Sequence, residues 1–148
     1  MKPLRWAFVL FLLIPGLCFA QVAKKIPVSV SHEGDDQIGR SVNHALEELI
    51  RTSQRFSLVA ENAKTPRIII LMQSVDTLVA PQQGRVSATA YSIIYYRTKI
   101  PGAGVLLGIA VNSCSPGIIE SCAKGIIPHL EGAVDFLRSH DPDLWETL

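Results

Sequence analysis

The sequence predicts an α+β domain: a four- or five-stranded, mostly antiparallel sheet with two helices packed on one face, in the order β-α-β-β-β-β-α. Three observations predict it. Short apolar stretches with strand-like alternation or β-branched runs recur between residues 26 and 111. Two segments, 38–49 and 118–137, place apolar residues at helical spacing. Between those segments, four strand-like stretches follow one another with only turn residues separating them, which favours hairpins.

The first twenty residues stand apart. Lys2 and Arg5 form a basic start, Trp6 to Ile14 runs apolar without a break, and Cys18-Phe19-Ala20 offers small residues at the −3 and −1 positions before Gln21. That is the three-part pattern of a secretory signal peptide cleaved after Ala20. The run is too short for a span of roughly 20 apolar residues. Lipid attachment at Cys18 is the rival reading, but Leu17 stands where a lipoprotein signal wants a small residue.

Removing 20 of the 148 residues leaves 128, with 12 basic groups against 13 acidic ones. Before or after cleavage the balance is within one charge of zero, which excludes strong electrostatic binding to nucleic acid. After cleavage no stable membrane insertion is expected. Of three cysteines, Cys114 and Cys122 remain. An even count in an exported chain points to a disulfide. Two free thiols or a redox pair are the alternatives, and the spacing is not Cys-x-x-Cys.

The elements follow in order. Ile26, Val28 and Val30 alternate with Pro27 and Ser29 in a first strand over 26–31. His32 to Asp36 is a polar loop, and Asp35 or Asp36 can cap the next helix through a free backbone N–H. In that helix Ile38, Val42, Ala45, Leu46 and Leu49 draw one apolar stripe, and it ends near Thr52-Ser53. Phe56–Val59 is a short strand. Arg67–Val75 holds Ile68 to Met72 in an unbroken apolar row, as in a strand buried on both faces. Arg85–Arg97 is a long strand, residues 101–104 a hairpin connection, and Val105–Val111 another strand. Pro116-Gly117 leads into a last helix with Ile118, Cys122, Ile126, Leu130, Ala133 and Leu137 along one side. Pro128 predicts a kink or break there. Residues 141–148 read as a loose tail.

The run "VSVS", then "IGRSVNHALEELIRTSQRFSLV", then "PRIIILMQSV", with a long strand, a hairpin and a closing amphipathic helix, resembles the amino-terminal domain of TolB and the related CsgG-like α/β domains of bacterial envelope assemblies. Leu49, Ser53, Phe56 and Val59 occupy places of the phrase that leads from helix to strand in that family. The likeness spans roughly residues 26–137. It implies a fold and an envelope location and carries over no catalytic residue. Cys114 and Cys122 are a departure from its pattern.

Candidate chemistry is sparse. Ser121-Cys122-Ala123-Lys124 matches the Ser-x-x-Lys nucleophile motif, and Ser41-Val42-Asn43 resembles a second element, but Lys-Thr-Gly is missing. Residues 32–36 gather possible metal ligands without the spacing of a zinc or calcium site. Residues 102–108 hold three glycines, but at a strand opening rather than before a helix. No cofactor is implied. One sheet feature is sharper. Tyr91, Ile93 and Tyr95 point one way and Ala88, Ala90 and Ser92 the other; Val105, Leu107, Ile109 and Val111 are again large, while Leu106, Gly108 and Ala110 are mixed and mostly small. Either the helices cover this large face, which the burial gain favours, or they cover the small face and leave the large one to a partner or a lipid-like ligand. The function expected is an exported, non-catalytic accessory or binding module of the bacterial cell envelope. Its partner is expected to be another envelope protein or a second copy. The alternatives are a periplasmic carrier of a small apolar ligand, and a small serine hydrolase using Ser121 and Lys124.

Overall fold

The computed structural model describes residues 24–77, 89–100 and 103–146, so the expected signal segment and Cys18 lie outside the described residues. The elements are β1 (Ile26–Glu33), α1 (Gln37–Thr52), β2 (Phe56–Leu58), β3 (Arg67–Asp76), β4 (Thr89–Ile100), β5 (Ala103–Cys114), α2 (Ile119–His140) and α3 (Pro142–Glu146). A single 3-10 turn, Pro116–Ile118, precedes α2. The strands form one sheet in the order β2-β1-β3-β4-β5. The α+β class and the pair of helices on one face are as expected. The sheet is mixed rather than mostly antiparallel: β1 runs parallel to β2 and β3, and β4 runs antiparallel to β3 and β5.

The parallel half has a simple cause. Parallel neighbours need a crossover long enough to bring the chain back to the starting end, and α1 supplies it between β1 and β2. The second parallel link, from β2 to β3, has only residues 59–66. It works because the strands are offset. Leu58 pairs with Val28 at the end of β2, and Ile68 pairs with the same Val28 near the start of β3. The chain therefore steps across β1 without travelling its length.

Arg67 holds that step in place. It is buried at 9% exposure, and its guanidinium donates to Ser29 Oγ (3.0 Å) and to the carbonyl oxygens of Glu61, Ala63 and Thr65. Ser31 Oγ adds a bond to Glu61 (2.9 Å). Burying a charged side chain is tolerable only with such a set of acceptors.

Both helices lie on the face that carries Val28, Ile68, Ile70 and Met72. The α1 residues Ile38, Val42, Leu46 and Ile50 and the α2 residues Cys122, Ala123, Ile126, Leu130 and Val134 join those side chains in one core. The alternating apolar stripe of α1 thus does what its period implies. Arg55, at the end of the α1–β2 turn, reaches α2 through Asp135 (2.6 Å) and Glu131 (3.6 Å).

Two local expectations change. α2 runs through Pro128 without a break. A proline forfeits one backbone bond, but Ile126 and Leu130 on either side are fully buried and hold the helix on the sheet. Of the residues expected as a loose tail, Pro142–Glu146 form α3. Trp145 packs against the core there, and the Arg138 guanidinium lies 4.5 Å from its ring centroid. Among the described residues no helix is long and apolar enough to cross a membrane.

Candidate functional site

Three places hold the residues singled out by sequence. The first is the Cys114–Cys122 pair. β5 ends at Cys114 and the first turn of α2 presents Cys122. Their Cα atoms are 6.1 Å apart and the sulfurs are bonded. That separation lies in the range a disulfide requires. Both residues are buried. The bond ties the start of α2 to the end of the last strand.

The second is the large face expected from the alternation in β4 and β5, and here register overturns the pattern. Tyr91 pairs with Asn112, Ile93 with Ala110 and Tyr95 with Gly108. Directly paired residues share a face, so the large residues of β4 lie with the small residues of β5. The same positions pair with Ser74, Met72 and Ile70 of β3, which puts them on the helix face. Tyr91 is buried at 3% exposure, and that burial pushes its hydroxyl pKa up. The side chains of Ile93 and Tyr95 lie outside what is described. A register shift between Tyr95 and Tyr96 leaves Leu107 as the extra residue of β5. That irregularity switches the alternation. Leu107 packs against the core, and Val105 pairs with Arg97 on the helix face while keeping 51% exposure. Ile109 and Val111 fall on the opposite face, 62% and 71% exposed, together with Leu106 at 57%. The single large face therefore splits in two. Its β4 share lies on the helix face, where Tyr91 is buried, and its β5 share is divided by the bulge.

What remains open is the outer edge of β5. Among the described residues no strand pairs with it. It is twelve residues long and holds no charged residue and no proline. Such an edge presents a row of unpaired backbone N–H and C=O groups, and natural proteins commonly blunt it with lysine, proline or shortness. On the helix side this edge borders a groove of about 360 Å³, lined by Tyr91, Asn112, Ser113, Ser121, Gly125 and His129 among others.

Ser121 belongs to that groove, whereas Lys124 does not. Lys124 lines a separate cleft between α1 and α2 with Ala45, Leu49 and Glu120, and its Nζ lies 3.6 Å from Glu120. The two residues of the Ser-x-x-Lys motif are three positions apart on one helix but look into different depressions.

The third place is a polar cluster around His32 and Asp36, whose partners the sequence did not announce. Asp36 caps α1 by accepting from the Gly39 N–H, and its other oxygen accepts from Ser74 Oγ on β3. His32 Nε2 lies 2.7 Å from Ser74 Oγ. Thr89, at the start of β4, donates to Val75 O (2.8 Å) and lies near the Asp36 carboxylate. Burial alone would raise the Asp36 carboxyl pKa. The hydrogen bonds from Ser74 and Gly39, with Thr89 and His32 nearby, outweigh it and hold the pKa below its ordinary value.

Serine, histidine and aspartate here are not in catalytic order. The one hydroxyl proton of Ser74 goes to Asp36, so His32 must donate to Ser74 rather than take its proton. A nucleophilic serine needs the reverse. The cluster is a clamp between the α1 N-terminus and β3. Gly39 is part of it, because a Cβ there would sit 2.1 Å from Ser74 Oγ. Of these residues, only the capping role of Asp35 or Asp36 was readable. Ser74 lies 38 positions away and carries no local signal. Among the described residues no group of three metal-ligating side chains converges, at residues 32–36 or elsewhere.

Comparison with protein-family models and with curated proteins finds no match to this chain.

Proposed function

We propose that the protein is an exported, non-catalytic accessory or binding module of the bacterial cell envelope, and that it engages its partner through the β5 edge. The carrying observation is that edge: twelve uncharged residues whose outer backbone row no described strand pairs, with Leu106, Ile109 and Val111 among them each more than half exposed. Main-chain pairing at a free sheet edge gives affinity, and alternate side chains give specificity. Export is supported by the amino-terminal pattern of residues 1–20 and by the bonded cysteine pair, which suits an oxidising compartment. The resemblance to TolB and CsgG-like domains points to the same location. The non-catalytic reading is supported by the divergence of Ser121 and Lys124 and by the donor order at Ser74.

The test starts from the full chain expressed in a bacterium. The envelope fraction should hold a form lacking the first 20 residues, with no thiol free to react before reduction. A photo-crosslinking residue at Val111 should then capture protein in the envelope, and one at the exposed Arg40 on α1 should not. A full-length chain retained in the cytoplasm, or equal capture at the two positions, overturns the reading.

A further inference from the structure

The outer surface of α2 continues the β5 edge. Ile118, Ser121, Gly125, His129, Gly132 and Phe136 recur every three or four residues and are all exposed, Ile118 and Phe136 at 51%. Spacing of that kind draws one stripe along a helix. Ser121, Gly125 and His129 border the groove against Asn112 and Ser113, so the stripe runs beside the free strand. Among the described residues nothing fills it: a Cβ built on Gly125 or Gly132 meets no atom within 4 Å. The stripe holds no Lys, Arg, Asp or Glu, and neither does β5. The opposite side of α2, by contrast, carries Glu120, Lys124, Glu131 and Asp135 in ion pairs.

Resting on the reading of β5 as an interaction surface, we propose that its occupant is a second copy of this chain. β5 of one protomer pairs antiparallel with β5 of its partner about a two-fold axis, and the two α2 stripes face each other beside that axis. Three observations select this occupant. The combined surface is neutral, so two copies meet without like-charge repulsion, while a charged segment would find no opposite charge along it. The surface is also of the right size. With the register given below, residues 106–114 of the two strands overlap, about 30 Å, and a sheet about 10 Å thick then offers roughly 300 Å² of edge. The stripe from Ile118 to Phe136 adds about 27 Å of helix, or roughly 280 Å² at a helix width of about 10 Å. Counted over both partners they pass the ~1,000 Å² that a biological interface needs. Finally, the register closes on itself. Opposed residues share a face, so the axis must pass through a residue. At Ala110 it sets Ile109 opposite Val111 on the open face and Gly108 opposite Asn112 on the helix face. The exposed large residues then cover each other, and a C2 dimer with a ten-stranded sheet results.

Light scattering on the exported protein, kept oxidised, tests this. The wild type should show twice the chain mass at micromolar concentration. Val111→Lys and Gly132→Arg should each weaken the dimer by about tenfold or more. Both sites are open in the single chain, so each variant should keep its disulfide and its melting transition. A monomer at every concentration overturns the proposal, as does a dimer that neither substitution weakens. Photo-crosslinking from Val111 separates the two levels of failure. A monomer that crosslinks specifically to a different envelope protein sinks the second copy and keeps the interaction surface. A monomer that crosslinks to nothing sinks both.

Discussion

β2 and β5 both end the sheet, yet β2 presents three residues and β5 twelve. The β2 edge is short and lies beside a step pinned by the Arg67 guanidinium. Charged groups surround it: Lys25 donates to Ser53 O at 2.6 Å, and Arg55 pairs with Asp135 and Glu131. A strand that short cannot template much pairing with another chain. The β5 edge is long and neutral. It is held from within by β4 on one side and by the Cys114–Cys122 bond at its end. In the proposed reading, the β2 side carries stability and the β5 side carries contact with another molecule.

That division can be broken at the β2 side first. Arg67→Ala removes a buried guanidinium and leaves the carbonyls of residues 61, 63 and 65 to find other partners. The expected cost is about 3 kcal/mol, since hydrogen bonds to charged groups contribute about 1.5–3 kcal/mol each and do not add fully. A fall in the urea midpoint at unchanged slope checks it. At the β5 side, Cys114→Ala with Cys122→Ala should cost about 2.5 kcal/mol by the chain-entropy model for so short a loop. Hydrogen exchange should localise the loss to β5 and the start of α2 and leave β2 protected.

The clamp lies between the two edges. Ser74→Ala takes one donor from the Asp36 carboxylate and should cost about 1–2 kcal/mol. Its pH dependence has a definite sign. A carboxyl whose folded pKa is depressed adds stability above its ordinary range, near ~4, and that contribution is lost as pH falls through the folded value. Wild-type stability should therefore decline below about pH 4, and less steeply in Asp36→Asn; identical acid profiles would count against the clamp. The smallest effect is expected on the α2 stripe. Gly132→Ala finds open space and improves helix propensity, so it should stabilise the single chain by up to about 1 kcal/mol. Gly39→Ala is the contrast within α1, where Ser74 occupies the position of the new Cβ and destabilisation is expected.

Much of the fold was legible. The stripe Ile38-Val42-Leu46 placed α1, the row Ile68–Met72 placed the central strand, and eight-residue spacing with a turn between made Cys114 and Cys122 partners. Each signal is local, because it depends on residues within a turn or two of one another. What was misread depends on residues far apart. The alternation in β4 agrees with its register, but the four large residues of β5 do not share one face, and joining the two strands required a register that a single extra residue changes. The bulge at Leu107 made that change. Parallel pairing was missed because the offset between β2 and β3 has no trace in either strand.

The sequence by itself determined the class of elements, the order in which they occur, the covalent staple and a net charge within one of zero, all properties set by composition and short-range spacing. Only the tertiary structure decided that Tyr91 is buried while Ile109 and Val111 are not, that Ser74 is the partner of Asp36, and that β5 is left at the edge. Those depend on which strands become neighbours and in what register. That choice follows from the burial of the whole core and the closing of loops dozens of residues long, and no short stretch of sequence contains it.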